Sequence, residues 1–237
     1  MRRSADRFTT VAPARPDAAA GWAVTRHSFS FGEHYDPDNV GFGPLVALND
    51  ETVRAGEGYP EHTHRDVEIV SWVLSGTLVH ADTTGAEHEV PPGSVQRLSA
   101  GSGVRHTEGA GPAGPVRFIQ TWVRPDRAGH PPAYAATTFD PADLARGWVL
   151  VASGSDPAAA VALGTGGATL WVTRLPPGES RRLPEGASAY AFLARGRLHV
   201  EPGETLDEGD ALAVTGATPL SLTALEPAEL LVWTFDR

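Results

Sequence analysis

The sequence predicts an all-β protein, a barrel or a sandwich, built from two copies of one β unit. A series of short runs rich in Val, Leu, Thr and aromatic residues has the length of strands, and the runs are bounded by Gly or Pro. The chain has 26 Gly and 20 Pro in 237 residues, and short strands separated by such residues are typical of barrels and sandwiches. A weak internal repeat indicates a duplication, because residues 74–78 are echoed by residues 194–198 and residues 92–95 by residues 208–211.

The predicted elements follow in chain order. Strands are expected at residues 67–74, 77–81, 95–98, 116–123, 169–175, 189–194, 197–200, 211–214, 220–225 and 230–235. One short helix is expected at Pro141–Arg146, because Asp140 is a favourable N-cap and Pro141 takes the first helical position. Residues 124–147, which include this helix, are poor in strand pattern and are interpreted as the connection. We therefore expect an N-terminal domain at residues 1–130 and a C-terminal domain at residues 131–237.

Composition and charge exclude several classes of function. The chain has no Cys, which excludes disulfides, thiol nucleophiles and thiolate metal centres. All 19 basic residues are Arg, which excludes a lysine Schiff base. The formal net charge of −10 argues against direct nucleic-acid binding. No apolar run reaches the length of a membrane span, so we expect a cytoplasmic protein without membrane contact.

Two residue pairs carry the chemistry of the sequence. The pairs His62-x-His64 and His106-x-Glu108 place their side chains at positions i and i+2, which project from the same face of a β-strand. Two such strands side by side inside a barrel would bring three imidazoles and one carboxylate to one point. That donor set suits a divalent first-row metal with open positions for water or substrate. Eight of the nine His lie at or before residue 130, so the metal site is expected only in the N-terminal domain.

The first pair lies in a pattern that resembles the first sequence motif of the cupins. The residues that follow its spacing are Gly56, His62, His64 and Glu68. Residues 85–93 resemble the start of the second cupin motif, but Gln96 stands where that motif has its third histidine. The ligand set of a general cupin would therefore be incomplete in this chain.

A narrower resemblance, to the pirin family, removes this discrepancy. It is dense over residues 21–135 and is strongest to the bacterial members with quercetin 2,3-dioxygenase activity. The segments that carry it are residues 26–32 (RHSFSFG), 41–43 (GFG), 48–50 (LND), 62–68 (HTHRDVE) and 99–108 (SAGSGVRHTE). The resemblance implies two tandem cupin-type barrels, a bicupin. It also implies four metal ligands, all of them present in this chain: His62, His64, His106 and Glu108.

The resemblance implies a metal-dependent dioxygenase that opens a flavonol-type substrate such as quercetin. The substrate hydroxyl would lose its proton, bind one divalent metal per chain as an oxyanion and react with dioxygen, with release of carbon monoxide. Glu108 is the candidate catalytic base, because a carboxylate beside the open metal positions can accept the hydroxyl proton. Iron is assigned from the resemblance, while nickel, cobalt, manganese, copper and zinc suit the same donors.

Two other functions stay open at this point. One is a non-catalytic, metal-binding regulator that acts through a protein partner, as eukaryotic pirins are described. The other is a different cupin reaction on another enol or aromatic substrate, since this fold hosts many chemistries. The ligand set does not separate these functions, and the oligomeric state is left open.

Several further residues are candidates for the site. Glu68 is either a metal ligand or a neighbour that orients an imidazole by accepting its second ring proton. His27 and His34 are candidates for the mouth of the pocket. Trp72 and Trp122 are candidates for its wall.

The remaining histidines and the second repeat receive structural roles. His80 and His88 lie beside a predicted hairpin and are expected to be exposed. In the second repeat, residues 183–186 fall near the position of the His62 pair, and Leu220 and Leu222 fall near that of the His106 pair. Leucines there would fill the barrel with apolar side chains. The C-terminal domain is therefore expected to be cupin-like, to bind no metal and to serve stability.

Overall fold

The computed structural model describes residues 1–13, 21–216 and 219–236. It divides into two compact units. The first is Phe8–Thr138, and the second combines Met1–Arg7 with Phe139–Arg237. Both units are built from β-strands that pair almost entirely antiparallel, and the second contains one short α-helix. The expected all-β fold class with a short helix is confirmed.

Among its described residues, the first unit contains eleven strands. They are β1 (Phe8–Val11), β2 (Ala23–His27), β3 (Leu45–Val53), β4 (Gly58–His64), β5 (Glu68–Ser75), β6 (Leu78–Asp82), β7 (Glu87–Val90), β8 (Ser94–Ser99), β9 (Val104–Ala110), β10 (Val116–Val123) and β11 (Ala133–Thr138). Seven strands form one sheet in the order β1-β2-β3-β10-β5-β8-β11, and four form a second sheet in the order β4-β9-β6-β7. Apolar side chains from both sheets, among them Val53, Leu78 and Phe118, pack together as a core.

The described part of the second unit contains α1 (Pro141–Arg146) and ten strands, with a 3-10 turn at Ser4–Asp6. The strands are β12 (Val149–Ser153), β13 (Val161–Ala162), β14 (Ala168–Leu175), β15 (Ser180–Arg182), β16 (Ser188–Arg195), β17 (Arg197–Val200), β18 (Glu204–Asp207), β19 (Ala211–Thr215), β20 (Ser221–Ala224) and β21 (Ala228–Phe235). Six form a sheet in the order β13-β12-β14-β21-β16-β19, and four form a sheet in the order β15-β20-β17-β18. Leu198, Leu222 and Leu230 lie in the core of this unit.

The strand orders of the two units correspond, which supports the duplication indicated by the repeat. The order β3-β10-β5-β8 in the first large sheet matches β14-β21-β16-β19 in the second. The small sheets match strand for strand, as β4-β9-β6-β7 and β15-β20-β17-β18. In this correspondence β15 takes the place of β4, and β20 takes the place of β9.

The helix begins and ends where the sequence predicts. The carboxylate of Asp140 accepts a hydrogen bond from the backbone N–H of Ala142 at 2.8 Å, so it caps the first turn. Leu144 is fully buried, and the hydroxyl of Thr173 on β14 donates to the carbonyl oxygen of Leu144. In the described part of the chain, no helix is long and apolar enough to cross a membrane.

The change from one unit to the other lies after Thr138, whereas the sequence placed it at residue 130. The difference arises from β11, which lies in the stretch interpreted as a connection. Its Ala and Thr residues give a weak strand signal, but it pairs antiparallel with β8 along its whole length. The N-terminal segment belongs with the second unit, because Arg2 forms a β-bridge with Ala211 and Arg3 pairs with Asp210 at 2.9 Å.

Candidate metal centre and its cavity

The two predicted residue pairs lie on neighbouring strands. β4 pairs antiparallel with β9, and His62 lies directly opposite His106 in this register. Tyr59 lies opposite Glu108, and a register shift between Tyr59 and His62 places one extra residue in β4. This β-bulge lets Tyr59 and His62 face the same side, although residues three apart in a regular strand face opposite sides.

Three histidines gather at this point. His62, His64 and His106 each offer a ring nitrogen, and these three atoms lie within 4.8 Å of one another. The ring of His62 lies 4.7 Å from that of His64 and 4.4 Å from that of His106, measured between centroids. Among the described residues, no other group of three His, Cys, Asp or Glu offers donor atoms so close together.

The hydrogen bonds and charges of these imidazoles fit a metal ion. Nδ1 of His62 donates to the carbonyl oxygen of Pro60 at 2.8 Å, which leaves the lone pair on Nε2. His106 is buried, and within the described residues neither of its ring nitrogens has a hydrogen-bond partner. Burial lowers the pKa of His64 to about 4 and that of His106 to about 3, and the neighbouring histidines add to both shifts. Both rings are therefore neutral at neutral pH, as metal ligation requires.

Glu108 shares the inward face of β9 with His106 but is not a member of the histidine group. Two glutamine amides hold its carboxylate. Nε2 of Gln96 donates to Oε1 at 2.5 Å, and Nε2 of Gln120 donates to Oε2 at 2.7 Å. Burial raises the pKa of Glu108 to about 7, although both glutamine hydrogen bonds act in the opposite direction. This carboxyl can therefore hold or release a proton near neutral pH.

Sequence reasoning did not identify these glutamines as partners of Glu108. It also missed that both belong to a row of polar side chains that crosses the large sheet. Cross-strand pairs connect His27 with Asn49, Asn49 with Gln120, Gln120 with Ser71, and Ser71 with Gln96. All five side chains are buried. A polar residue inside an apolar strand is the signal that marks each of them, because such residues are rarely buried without a partner. Their convergence depends on pairing between distant strands, which a strand pattern does not give.

A cavity of about 620 Å³ opens beside the histidines. Its lining includes His62, His64, Glu108 and Gln120. Aromatic rings cover another part of the wall: Trp122 lies against His64 at 5.0 Å, and Phe31 lies against Trp122 at 5.1 Å. The volume and the mixture of apolar wall with a few polar groups are typical of small-molecule sites.

The weaker candidates divide between this cavity and the rest of the unit. His27 and Trp122 line the cavity, whereas His34 stacks on Phe8 at 4.4 Å and does not line it. Trp72 is fully buried next to Ser71 on β5, so the alternation of the strand turns it away from the cavity.

Glu68 lies on the same face of β5 as Trp72, and it is not in the histidine group. One of its carboxylate oxygens accepts a hydrogen bond from the hydroxyl of Ser99 at 2.7 Å. Glu68 therefore lies on the face of the sheet that is turned away from the cavity, where it is a hydrogen-bond partner of Ser99.

One expectation for the other histidines is wrong. His88 is exposed, but His80 is almost fully buried, because it projects from β6 opposite Glu108 on β9. Nε2 of His80 lies 2.8 Å from Oδ2 of Asp82, and its ring stacks on Tyr134 at 4.5 Å. The alternation of β6 turns the side chain of His80 into the barrel, so the residue is buried although it lies near the hairpin.

The corresponding positions of the second unit are apolar. Leu222 on β20 is fully buried, and Leu183 and Leu220 pack against the same core cluster. Since β20 corresponds to β9, leucine occupies the place where the first unit has its inward His and Glu. The described part of this unit contains no group of three potential metal ligands.

The fold and the site together define a bicupin whose first barrel contains a candidate metal centre. Sequence comparison agrees with this class: a family model described as Pirin matches residues 9–123, and one described as the quercetinase C-terminal cupin domain matches residues 150–235. The chain belongs to the pirin family.

Similar proteins are found over the whole chain. A Mycobacterium tuberculosis protein named "Putative quercetin 2,3-dioxygenase" is 43% identical over 98% of this chain and 93% of its own length. An Escherichia coli protein named quercetin 2,3-dioxygenase is 41% identical over 53% of this chain and 55% of its own length. The crystal structure of the bacterial pirin YhhW from Escherichia coli in complex with nickel(II) superposes with a TM-score of 0.86. It is 28% identical and covers 99% of this chain and 97% of that one.

Proposed function

We propose that this protein is a metal-dependent dioxygenase that opens a flavonol-type substrate with dioxygen. The observation that carries the proposal is the group of three histidines beside a buried carboxyl in an aromatic-walled cavity. A purely structural metal site would not need a cavity of about 620 Å³ next to its ligands. The quercetinase names of the relatives support this substrate class.

The metal is proposed to be held by His62, His64, His106 and Glu108. Two of the four oxygen lone-pair positions of Glu108 are used by Gln96 and Gln120, so the carboxylate has further acceptor positions. When bound, a divalent ion supplies Lewis-acid stabilisation of the enolate oxygen and a common site for substrate and dioxygen. Iron is one candidate, and the nickel(II) complex of the related pirin supports nickel as another.

The residues of this chain provide binding and proton transfer. The rings of Trp122 and Phe31 offer an apolar wall for the planar substrate. Glu108 accepts the proton of the enolic hydroxyl, because its pKa of about 7 matches a base that works at neutral pH. Gln96 and Gln120 fix the direction of its oxygens, which keeps the acceptor in place before the substrate arrives.

The test is metal reconstitution followed by oxygen uptake. The protein is stripped with a chelator, reloaded anaerobically with Fe²⁺, Ni²⁺, Co²⁺, Mn²⁺, Cu²⁺ or Zn²⁺, and mixed with a panel of flavonols and other enediols in oxygenated buffer. We expect oxygen uptake and carbon monoxide release with at least one metal and a flavonol. His106→Ala should abolish both, whereas His130→Ala, which alters an exposed histidine of the same unit, should leave them unchanged.

The same experiment separates the competing functions. A protein that binds one metal but consumes no oxygen with any substrate would favour a non-catalytic regulator that acts through a protein partner. Uptake with a non-flavonol enediol alone would favour a different cupin oxygenase. Either result would overturn the proposed quercetinase activity.

A further inference from the structure

A second polar group, centred on Glu51, lines the same cavity. Glu51 is 4% exposed, and its Oε2 accepts hydrogen bonds from the hydroxyl of Thr25 at 2.5 Å and from that of Tyr59 at 2.6 Å. All three residues line the cavity, and the side chain of Asn49 forms a further hydrogen bond to Glu51. None of these side chains belongs to the histidine group.

Strand pairing explains why these groups meet. Thr25 on β2 lies directly opposite Glu51 on β3, so their side chains share one face of the large sheet. Tyr59 reaches them from β4 in the small sheet, with its ring packed edge-on against Trp22 at 4.8 Å. The ring of Tyr59 lies 6.4 Å from that of His62, so a single tyrosine side chain separates Glu51 from the histidines.

We propose that Glu51, with Thr25 and Tyr59, forms a subsite that accepts a hydrogen bond from a phenolic hydroxyl on the substrate ring remote from the oxidised enol. This inference rests on the proposed function, because it names the part of a flavonol-type substrate that the cavity recognises. Glu51 then determines specificity without taking part in the oxygenation.

The number of acceptor positions supports this role. A carboxylate offers about four acceptor positions, and Thr25, Tyr59 and Asn49 account for three of them. One position is left for a ligand hydroxyl. Burial also raises the pKa of Glu51 to about 7, which shows how little water solvates this group in the free protein. A ligand that lacks the hydroxyl would leave a buried acceptor without its partner.

Aromatic rings along the cavity suit a flat ligand. Starting from His64, the rings of Trp122, Phe31, His27 and Phe8 follow one another. His27 is held in place on both edges, by Asn49 at Nδ1 and by Thr10 at Nε2, each at 2.9 Å. Because Asn49 also bonds Glu51, the row passes beside the Glu51 group at His27, and a planar ligand against these rings can place its enol near the histidines and another hydroxyl near Glu51.

The test compares two flavonols that differ only in the hydroxyl groups of the pendant ring. Their affinities are measured by fluorescence titration of the metal-free protein without oxygen, and their KM values are measured with the metal-loaded protein. At pH 8, where a Glu51 carboxyl with a pKa of about 7 is mostly ionised, we expect the wild-type protein to bind the hydroxylated flavonol about 10- to 100-fold more tightly, as for a hydrogen bond to a charged group. Glu51→Gln should reduce this preference about tenfold, because a neutral amide oxygen is the weaker acceptor.

Matched variants make the outcome decisive. Glu87→Gln makes the same chemical change on the exposed strand β7 and should keep the preference. Should Glu51→Gln fail to fold, Glu51→Asp retains the charge, withdraws it by one methylene and should also lose the preference. An unchanged preference in a folded Glu51 variant, or equal or undetectable binding of both flavonols by the wild-type protein, would overturn the subsite. A Glu51-dependent preference in a protein without oxygenase activity would support the subsite and reject the proposed reaction.

Discussion

Glu108 shows how a single residue acquires a property that its sequence position does not display. Burial raises the pKa of this carboxyl, while hydrogen bonds from Gln96 and Gln120 lower it, and the result is about 7. The motif His106-x-Glu108 identified the residue, but its proton affinity depends on amides from β8 and β10. The role of Glu108 as ligand and base stays a prediction.

Glu108→Gln tests this role. With metal restored, we expect turnover of the substrate to fall about 10²- to 10⁴-fold at neutral pH, the usual contribution of a general base. The loss should shrink toward high pH, where the substrate hydroxyl ionises without help. Metal content is measured on the same samples, and metal-replete protein with near-normal turnover at pH 7 would reject the base role.

Glu51 predicts a pH dependence of stability. Burial raises its pKa from 4.5 to about 7, so the native protein holds this proton to a higher pH than the unfolded chain does. Below about pH 4.5 this proton stabilises the native protein by about 3 kcal/mol. The stabilisation is lost as the pH rises through 7. We expect urea unfolding of the metal-free wild-type protein to show this decrease between pH 5 and 8. In Glu51→Gln, the part of this decrease in the free energy of unfolding that comes from Glu51 should be absent. Identical pH profiles for the two proteins would contradict the assignment of the raised pKa to Glu51.

At the scale of strands and helices, several elements lie where the sequence predicts them, whereas others, among them β3 and β11, were missed. β10 and β17 lie where they were expected, at residues 116–123 and 197–200. β11 was missed, because its alanines and threonines acquire order only by pairing with β8. The histidine pairs were found because i, i+2 spacing is a local property, whereas the contacts of Glu51 and Gln120 join strands far apart in the chain.

The helix α1 allows a test at this scale. Asp140→Ala removes the carboxylate that accepts from the N–H of Ala142, and we expect a loss of about 1 kcal/mol in the free energy of unfolding. Asp143→Ala is the matched control, since its ion pair with Arg146 is exposed on both sides and contributes little. Equal effects of the two changes in denaturant unfolding would argue against the cap.

At the scale of the whole molecule, the two units share a strand order but differ in the side chains that fill their interiors. The small sheet of the first unit presents His and Glu side chains inward, while its counterpart in the second unit contributes Leu198, Leu206 and Leu222 to an apolar core. The internal repeat predicted this relation, because the turn between β5 and β6 at Gly76 recurs between β16 and β17 at Gly196. The absence of a metal from the second unit stays a prediction.

Metal stoichiometry tests the difference between the units. We expect one equivalent of divalent metal per chain after reconstitution and dialysis, measured by elemental analysis. The double variant His62→Ala/His106→Ala should hold none, because it removes two of the three clustered imidazoles. Two equivalents in the wild-type protein, or one retained by the double variant, would reject a single histidine-based site.

The bulge between Tyr59 and His62 places three residue steps of β4 opposite two of β9. A one-residue deletion within 60–61 would put the tyrosine and the histidine at positions i and i+2, which share one side of a regular strand. The deletion would therefore remove the bulge and still leave both rings on the cavity side. It would instead disturb the support of His62, because the carbonyl oxygen of Pro60 that accepts from its Nδ1 lies in this stretch. The extra residue thus serves the orientation of one imidazole ring, while the side on which the ring lies follows from ordinary strand alternation.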